Sequence, residues 1–376
     1  MDNFNELIEK SEIIISVGSG GVGKTTTSAA IALQAAIYGK KTIVLTIDPA
    51  KRLANSLGVE EITGEVEKIN LENMGIKAKG ELYAMMLDMK TAMDDMVKRE
   101  ASSEEYKKNI FENKIYKMFS TSLAGTQDFA AMEKLWEIWN KNEYDLIVLD
   151  TPPTSNAIDF LTFPQRIFDT FDNKITSLMI SVYKKSGFFT FKFFSMGTQV
   201  LLKGISKFVG VETLDVLSSF LFHISDLIEG MKKRSKEVFD LLRKDKVNFV
   251  VVAAPNPVSL KEALFFKDEL KKSNLNFYGF IINRYHLKFE GREIKTDEVT
   301  EILKNTGFFE GQSNYILEKF ADKLINNLNQ FNILSKIEDK HLEIIKNEKF
   351  IKIPFFEKDI YNLKGLLRVS KKIFDF

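Results

Sequence analysis

Residues 12–33 read EIIISVGSGGVGKTTTSAAIAL, and three signals lie end to end in this stretch. Ile13, Ile14, Ile15 and Val17 form a short β-branched apolar run, the pattern of a strand buried on both faces of a parallel sheet. Gly18, Gly20, Gly21 and Gly23 then allow backbone conformations that a Cβ would forbid, so successive N–H groups turn inward around an anion. Gly18–Thr25 fits G-x-x-x-x-G-K-[ST], and Ala29, Ile31, Ala32, Leu33 and Ala36 follow at helical spacing. A phosphate is the occupant this order predicts. Gly20, Gly21, Val22, Gly23, Lys24, Thr25 and Thr26 form the expected nucleotide cradle. Lys24 reaches the β- and γ-phosphates, the Thr25 hydroxyl ligates Mg²⁺, and the helix N-terminus adds partial positive charge.

Further strands predict an α/β fold with a mostly parallel sheet flanked by helices. Thr42–Ile47 is a buried β run ending at Asp48-Pro49, which sets a carboxylate at the carboxyl edge of the sheet, where ligands bind in open α/β folds. Asp48 is therefore a candidate catalytic or water-positioning residue, with a plain helix or turn cap as the alternative. Residues 60–80 are polar and punctuated by glycine, Leu82–Leu87 reads as a third strand, and 93–117 is charged and helical. Thr121–Asp128 reads as a loop, and Met132–Trp139 as a helix. Tyr144–Leu149 is an apolar strand closed by Asp150, the Walker-B arrangement that holds a Mg²⁺ ion through its water shell. Pro152 and Pro153 then impose a stiff turn, a candidate switch loop.

From Pro164 to Leu242 the strand–helix alternation stops. Ile167, Phe171, Ile175, Leu178 and Val182 recur at helical spacing, as do Leu214, Leu217, Leu221, Ile224, Ile228 and Met231. Between them, GFFTFKFFSMG (Gly187–Gly197) carries Phe188, Phe189, Phe191, Phe193 and Phe194, too many for one helical face. Two readings stand: a helical subdomain that packs on itself, or an apolar groove for a hydrophobic partner. The sheet resumes with strands at Val247–Ala254, Phe277–Asn283 and Phe350–Ile353, and helices at Ser259–Lys271, Ile316–Ile337 and from Asn362. Residues 286–300 read as a polar loop. The expected organisation is a P-loop NTPase domain over 1–163 and 243–376, with a helical insertion over 164–242 for a client or partner.

Composition narrows the chemistry. The net charge of +1 gives no global electrostatic case for nucleic acid, and no window approaches the ~18 apolar residues of a membrane span. The acidic, amphipathic N-terminus argues against a signal peptide, which predicts a cytoplasmic protein. With no cysteine, the sequence has no disulfide, no thiolate metal site and no Cys nucleophile. The three histidines lack ligand-like spacing.

These residues resemble the ArsA-type ATPases, a family that includes arsenical-pump ATPases and cytosolic targeting factors for tail-anchored membrane proteins. GSGGVGKTTTSAAIALQAA is similar to the family phosphate loop, TIDPAKRLANSLG to switch I and YDLIVLDTPPTSNAIDFLTFP to the Walker-B strand and switch II. VVAAPNPVSLKEALFF, IINR and IPFFEKDI resemble its C-terminal stretches. The resemblance implies an ATPase using ATP and Mg²⁺, with Asp48 orienting the attacking water, Asp150 in the Mg²⁺ shell, and Asn283 and Pro354 at the adenine. It also implies a homodimer or a heterodimer with a related ATPase, and a hydrophobic or membrane-protein client. Membrane association would then come through a partner. Three departures stand out. Ser19 occupies the place of a lysine that reaches the partner's nucleotide, Lys51 and Arg52 replace the usual His-Asn, and the cysteines of a zinc clasp or arsenite site are absent. The function implied is a Mg-ATP-driven conformational switch acting on hydrophobic clients. The alternatives are an energising subunit of an arsenite-type anion pump or a positioning ATPase of the MinD/ParA kind, against which the helical insertion and the C-terminal segments speak.

Overall fold

A computed structural model describes residues 4–47, 52–101, 103–122, 126–151, 169, 174–189, 196, 199, 203–204, 206–207, 210–289, 294–306, 309 and 311–374. An eight-stranded sheet runs in the order β3-β4-β2-β5-β1-β6-β7-β8. The strands are β1 (Ile13–Val17), β2 (Lys41–Thr46), β3 (Glu67–Ile69), β4 (Glu81–Met86), β5 (Leu146–Asp150), β6 (Val247–Ala253), β7 (Phe277–Tyr285) and β8 (Phe350–Pro354). All pair parallel except β3, which lies antiparallel on β4 at the edge. β1, β5 and β6 are buried along their whole lengths, as strands covered on both faces must be.

Alternate side chains of each strand feed two layers. Ile14, Val44, Val148 and Val250 pack toward α2 (Lys24–Tyr38) and the C-terminal helix Leu363–Ile373, with the short helices Asn5–Lys10 and Arg52–Leu57 on the same side. Ile13, Ile15, Leu149 and Val251 pack toward the helices Thr126–Lys141 and Pro257–Lys272 and the end of the long helix Val211–Leu242. The termini agree with the local chemistry. Gly39 closes α2 in the left-handed region, and Asn256 and Asn362 cap their helices by accepting from Ser259 N and Gly365 N.

The sequence reading needs three corrections. Residues 60–80 contain β3, so the strand expected third is fourth; three residues on an edge are too few to show alternation. Thr121–Asp128 is not a loop throughout, because one helix runs to Ser122 and the next begins at Thr126. A helix also starts at Thr296 inside the expected 286–300 loop, with Asp297 and Glu298 in its first turn.

A third apolar cluster forms the helical layer. Val182, Phe189, Leu214, Leu221 and Leu227 pack with Met93, Met96, Val97, Ile110 and Tyr116. The layer thus combines the helices Lys174–Ser186 and Val211–Leu242 with Met89–Glu100, Glu104–Glu112 and Lys114–Ser122. Phe189 is buried and its N–H donates to Asp215 Oδ1 at 2.5 Å, whereas Phe188 is 58% exposed. Phe191, Phe193 and Phe194 lie outside the described residues. A charge cluster with Glu133 and Arg234 at its buried centre ties this layer to the helix that leads into β5. Arg234 Nε donates to Glu133 Oε1 at 2.7 Å and its Nη1 to Glu100 Oε1 at 2.7 Å, while Arg99 Nη2 donates to Glu133 Oε2 at 2.7 Å. The Trp136 indole is within cation–π reach of both guanidinium groups.

Candidate nucleotide site

The loop between β1 and α2 takes its shape from glycines at two close approaches. At Gly18, φ is +151° and a Cβ would lie 2.2 Å from Val252 O on the neighbouring strand. At Gly23, φ is +97° and a Cβ would lie 2.2 Å from Asn283 Nδ2. Gly21, at φ +76°, requires the same left-handed freedom without a close neighbour. Lys24 opens α2 and is buried, and its ammonium donates to Gly18 O at 2.8 Å and Ser19 O at 2.9 Å. The lysine thus spans the loop it would share with phosphate oxygens.

Beneath the loop, β1, β2 and β5 converge on Asp150. Thr25 Oγ1 donates to Asp150 Oδ2 at 2.7 Å, and Thr46 Oγ1 donates to the same oxygen at 2.8 Å. The register explains the meeting, since Asp150 pairs with Ser16 of β1 and Thr46 of β2. Thr151 Oγ1 donates to Ser16 O at 2.7 Å, which fixes the chain just past the carboxylate. Among the described residues no group of three or more His, Asp or Glu side chains could hold a metal. A hydroxyl–carboxylate pair of hard oxygens suits Mg²⁺, which takes few protein ligands and completes its shell with water and phosphate.

The remote half of the site comes from β7 and β8. Asn283 Nδ2 donates to Val22 O at 2.8 Å, and Asn283 Oδ1 accepts from Arg284 N at 3.0 Å. Arg284 has φ +63°, a left-handed conformation uncommon for a side chain of its size. Pro354 pairs with Tyr285 across β7 and β8 and is buried on the edge strand beside the one that carries Asn283. A cavity of about 380 Å³ opens over Gly21, Gly23, Lys24, Thr25 and Thr26, and is also lined by Arg52, Asn55, Ser56, Thr151, Arg284, Asp359, Ile360 and Tyr361. Three cations against one carboxylate on that wall favour a polyphosphate. Tyr361 OH donates to Asp359 Oδ2 at 2.7 Å, so its ring is held at the cavity mouth.

The structure therefore brings Gly20–Thr26, Asp150 and Asn283 together and leaves Pro354 in the adjacent strand pair. Asp48, Lys51 and most of the expected switch II, 152–157, lie outside the described residues. Sequence reading missed Thr46, Arg284, Asp359 and Tyr361. The polar interruption of an otherwise apolar β2 and the Asp-Ile-Tyr run after the last strand were the available signals.

A mostly parallel sheet with this loop between its central strand and the next helix, and a Thr–Asp pair beneath it, defines a P-loop nucleotide hydrolase. The family model described as anion-transporting ATPase, ArsA_ATPase, matches residues 11–325, and the chain belongs to that family. It is similar to the ATPase ASNA1 homolog of Plasmodium falciparum (isolate 3D7), 23% identical over 351 residues that cover 92% of this chain and 81% of that protein. It is also similar to the ATPase ASNA1 homolog 2 of Paramecium tetraurelia, 28% identical over 268 residues covering 71% and 74%. The ATPase GET3C of Arabidopsis thaliana is 25% identical over 301 residues covering 75% and 69%. The chain is an ATP-binding enzyme that hydrolyses ATP to ADP and phosphate.

Proposed function

We propose that this ATPase is a Mg²⁺-dependent conformational switch whose helical layer handles hydrophobic segments of membrane-protein clients. The observation that carries the reading is the meeting of Thr25 and Asp150 at 2.7 Å, at the end of a strand entered from a helix that is charge-locked to the helical layer. A Mg²⁺ ion held there by Thr25 and, through water, by Asp150 would neutralise charge on the β- and γ-phosphates. Lys24 and the loop N–H groups bind and orient the phosphates, and Asp48 positions the attacking water as general base. Asn283 holds the loop or reads the base, and Pro354 borders the adenine.

The client side rests on the layer formed with 164–242, read as the client-binding subdomain, where Phe188, Met196 and Met118 expose large apolar side chains. Similarity to ASNA1 homologs and a GET3C supports the same reading. We place the protein in the cytoplasm, acting as a homodimer or with a related ATPase, and meeting the membrane through a partner. Among the described residues no helix is long and apolar enough to cross a membrane. The test is Asp48→Asn with ATP and a labelled apolar peptide of about 20 residues, the length of a membrane span. ATP affinity should persist, hydrolysis should fall by orders of magnitude, and the peptide should stay bound. Equal loss of nucleotide binding and turnover would remove Asp48 from its role, and no nucleotide-dependent peptide capture would remove the client reading.

A further inference from the structure

The C-terminal helix Leu363–Ile373 turns two unlike faces to its surroundings. Leu363, Leu366, Val369 and Ile373 are buried in the core beneath α2, and Ser370 Oγ donates to Gln34 Oε1 of α2. The helix is thereby fixed in orientation, and what it shows to solvent is set by sequence. Lys364, Arg368, Lys371 and Lys372 stand at i, i+4, i+7 and i+8, which places them on the one opposite face, and all four are exposed. At about 1.5 Å per residue they span roughly 12 Å along the helix. The helix contains no acidic residue.

These cations differ from exposed lysines on other helices. Lys90 pairs with Asp94, Lys98 with Asp95, Lys141 with Glu137 and Lys272 with Glu269, so each charge is answered on its own helix. Among the described residues, none of the four on the C-terminal helix meets a carboxylate, and Arg368 lies instead over the Phe356 ring at 4.9 Å. The chain as a whole carries a net charge of +1, so the positive face is a local segregation of charge and not a property of the whole surface. That distinction selects the partner. A nucleic acid is held by a groove of cations interleaved with stacking aromatics, and this face is one convex helix whose cations have no aromatic among them. A bilayer with anionic headgroups presents a continuous negative surface, on which a cluster of four Lys and Arg on one amphipathic helix suffices for reversible attraction.

We propose that the outer face of the helix Leu363–Ile373 docks the protein directly on an anionic lipid surface. This contact is additional to the partner-mediated one and does not depend on it. Asp359, Ile360 and Tyr361, just before the helix, line the nucleotide cavity, so docking here sets the cavity mouth close to the bilayer. The test is co-sedimentation of the full chain with phosphatidylcholine vesicles containing about 30% phosphatidylserine, with pure phosphatidylcholine vesicles as the comparison. The chain should bind the anionic vesicles alone. Salt raised from about 0.1 to 1 M shortens the screening length from about 10 to 3 Å and should release it. Lys364→Gln, Lys371→Gln and Lys372→Gln together should weaken binding about 100-fold, at roughly five-fold for each cation removed, with melting temperature and ATP turnover little changed. Arg368 is kept because its guanidinium also packs on Phe356. Lys304→Gln, Lys319→Gln and Lys323→Gln remove the same charge from the exposed surface of two other helices and should leave binding intact. Absence of binding to anionic vesicles, equal binding to pure phosphatidylcholine, equal loss in the two triple variants, or tighter binding to duplex DNA or polyglutamate at the same salt would each overturn the proposal.

Discussion

The phosphate loop and the helical layer are built on opposite principles. The loop is contiguous: its strand, glycines, lysine and helix lie within residues 13–38, and backbone geometry alone dictates most of its shape. The helical layer has no such local code. Its cluster joins residues 93–116 to residues 179–227 through faces whose periodicity names a buried side without naming the partner. The layer is tied to the sheet's helices at Arg234 and Glu133, the latter on the helix that leads into the strand delivering Asp150. The contrast implies that chemistry and layer stability can be damaged separately.

Lys24→Ala should show this separation most strongly. Lys24 spans the loop and carries no packing role in the three large apolar clusters. Turnover should fall at least about 100-fold, as expected when a preorganised charge on the transferring phosphate is lost, with the melting temperature little changed. Activity near that of the parent enzyme would remove the loop from the chemistry.

Glu133→Ala reverses the pattern. Glu133 and Arg234 are both about 6% exposed, and Arg99 also donates to Glu133, so the substitution removes a carboxylate shared by two guanidinium groups and leaves the buried Arg234 with Glu100 alone. Loss of one partner of a buried pair costs about 3–5 kcal/mol, read as a lower denaturation midpoint. Nucleotide affinity should survive wherever the protein is folded. A loss below about 1 kcal/mol would show that the cluster is solvated and does not lock the layer to the core.

The loop, β1, β2, β5 and Asp150 were legible in sequence because each rests on a contiguous pattern. The other half of the site was less so. Asn283 lies 261 residues from Val22, and only the order of strands in the sheet brings them together. Resemblance to a family pointed to Asn283, but not to the fact that its amide nitrogen is committed to the loop carbonyl. The helical layer was half legible for a similar reason: 164–242 announced its apolar stripes, while 93–117 reads as charged and gives no sign of joining them.

Asn283→Ala sharpens the comparison inside the site. If the side chain chiefly holds the loop against Gly23, affinity for ATP and GTP should fall together by about 10-fold, close to the loss of one hydrogen bond at 1.4 kcal/mol. Their ratio should stay within about two-fold. A selective loss of ATP would return Asn283 to base recognition.

The smallest effect belongs to the helical layer and depends on pH. Tyr116 is buried, and its hydroxyl donates to Asp94 Oδ1 at 2.8 Å. Burial first, and the Asp94 hydrogen bond and charge second, raise its pKa well above the ordinary 10.0. Because the folded value is the higher one, the stabilisation is complete below pH 10 and is lost as the unfolded chain ionises above it. Tyr116→Phe should therefore lie within about 1.5 kcal/mol of the parent near neutrality, the usual scale of one hydrogen bond. Above pH 10 the parent should lose stability relative to the variant by up to about 1.4 kcal/mol per pH unit, the slope of a single proton. Denaturation midpoints for both proteins across that range give the difference, and parallel curves would mean that Tyr116 ionises as readily in the folded layer as in the unfolded chain.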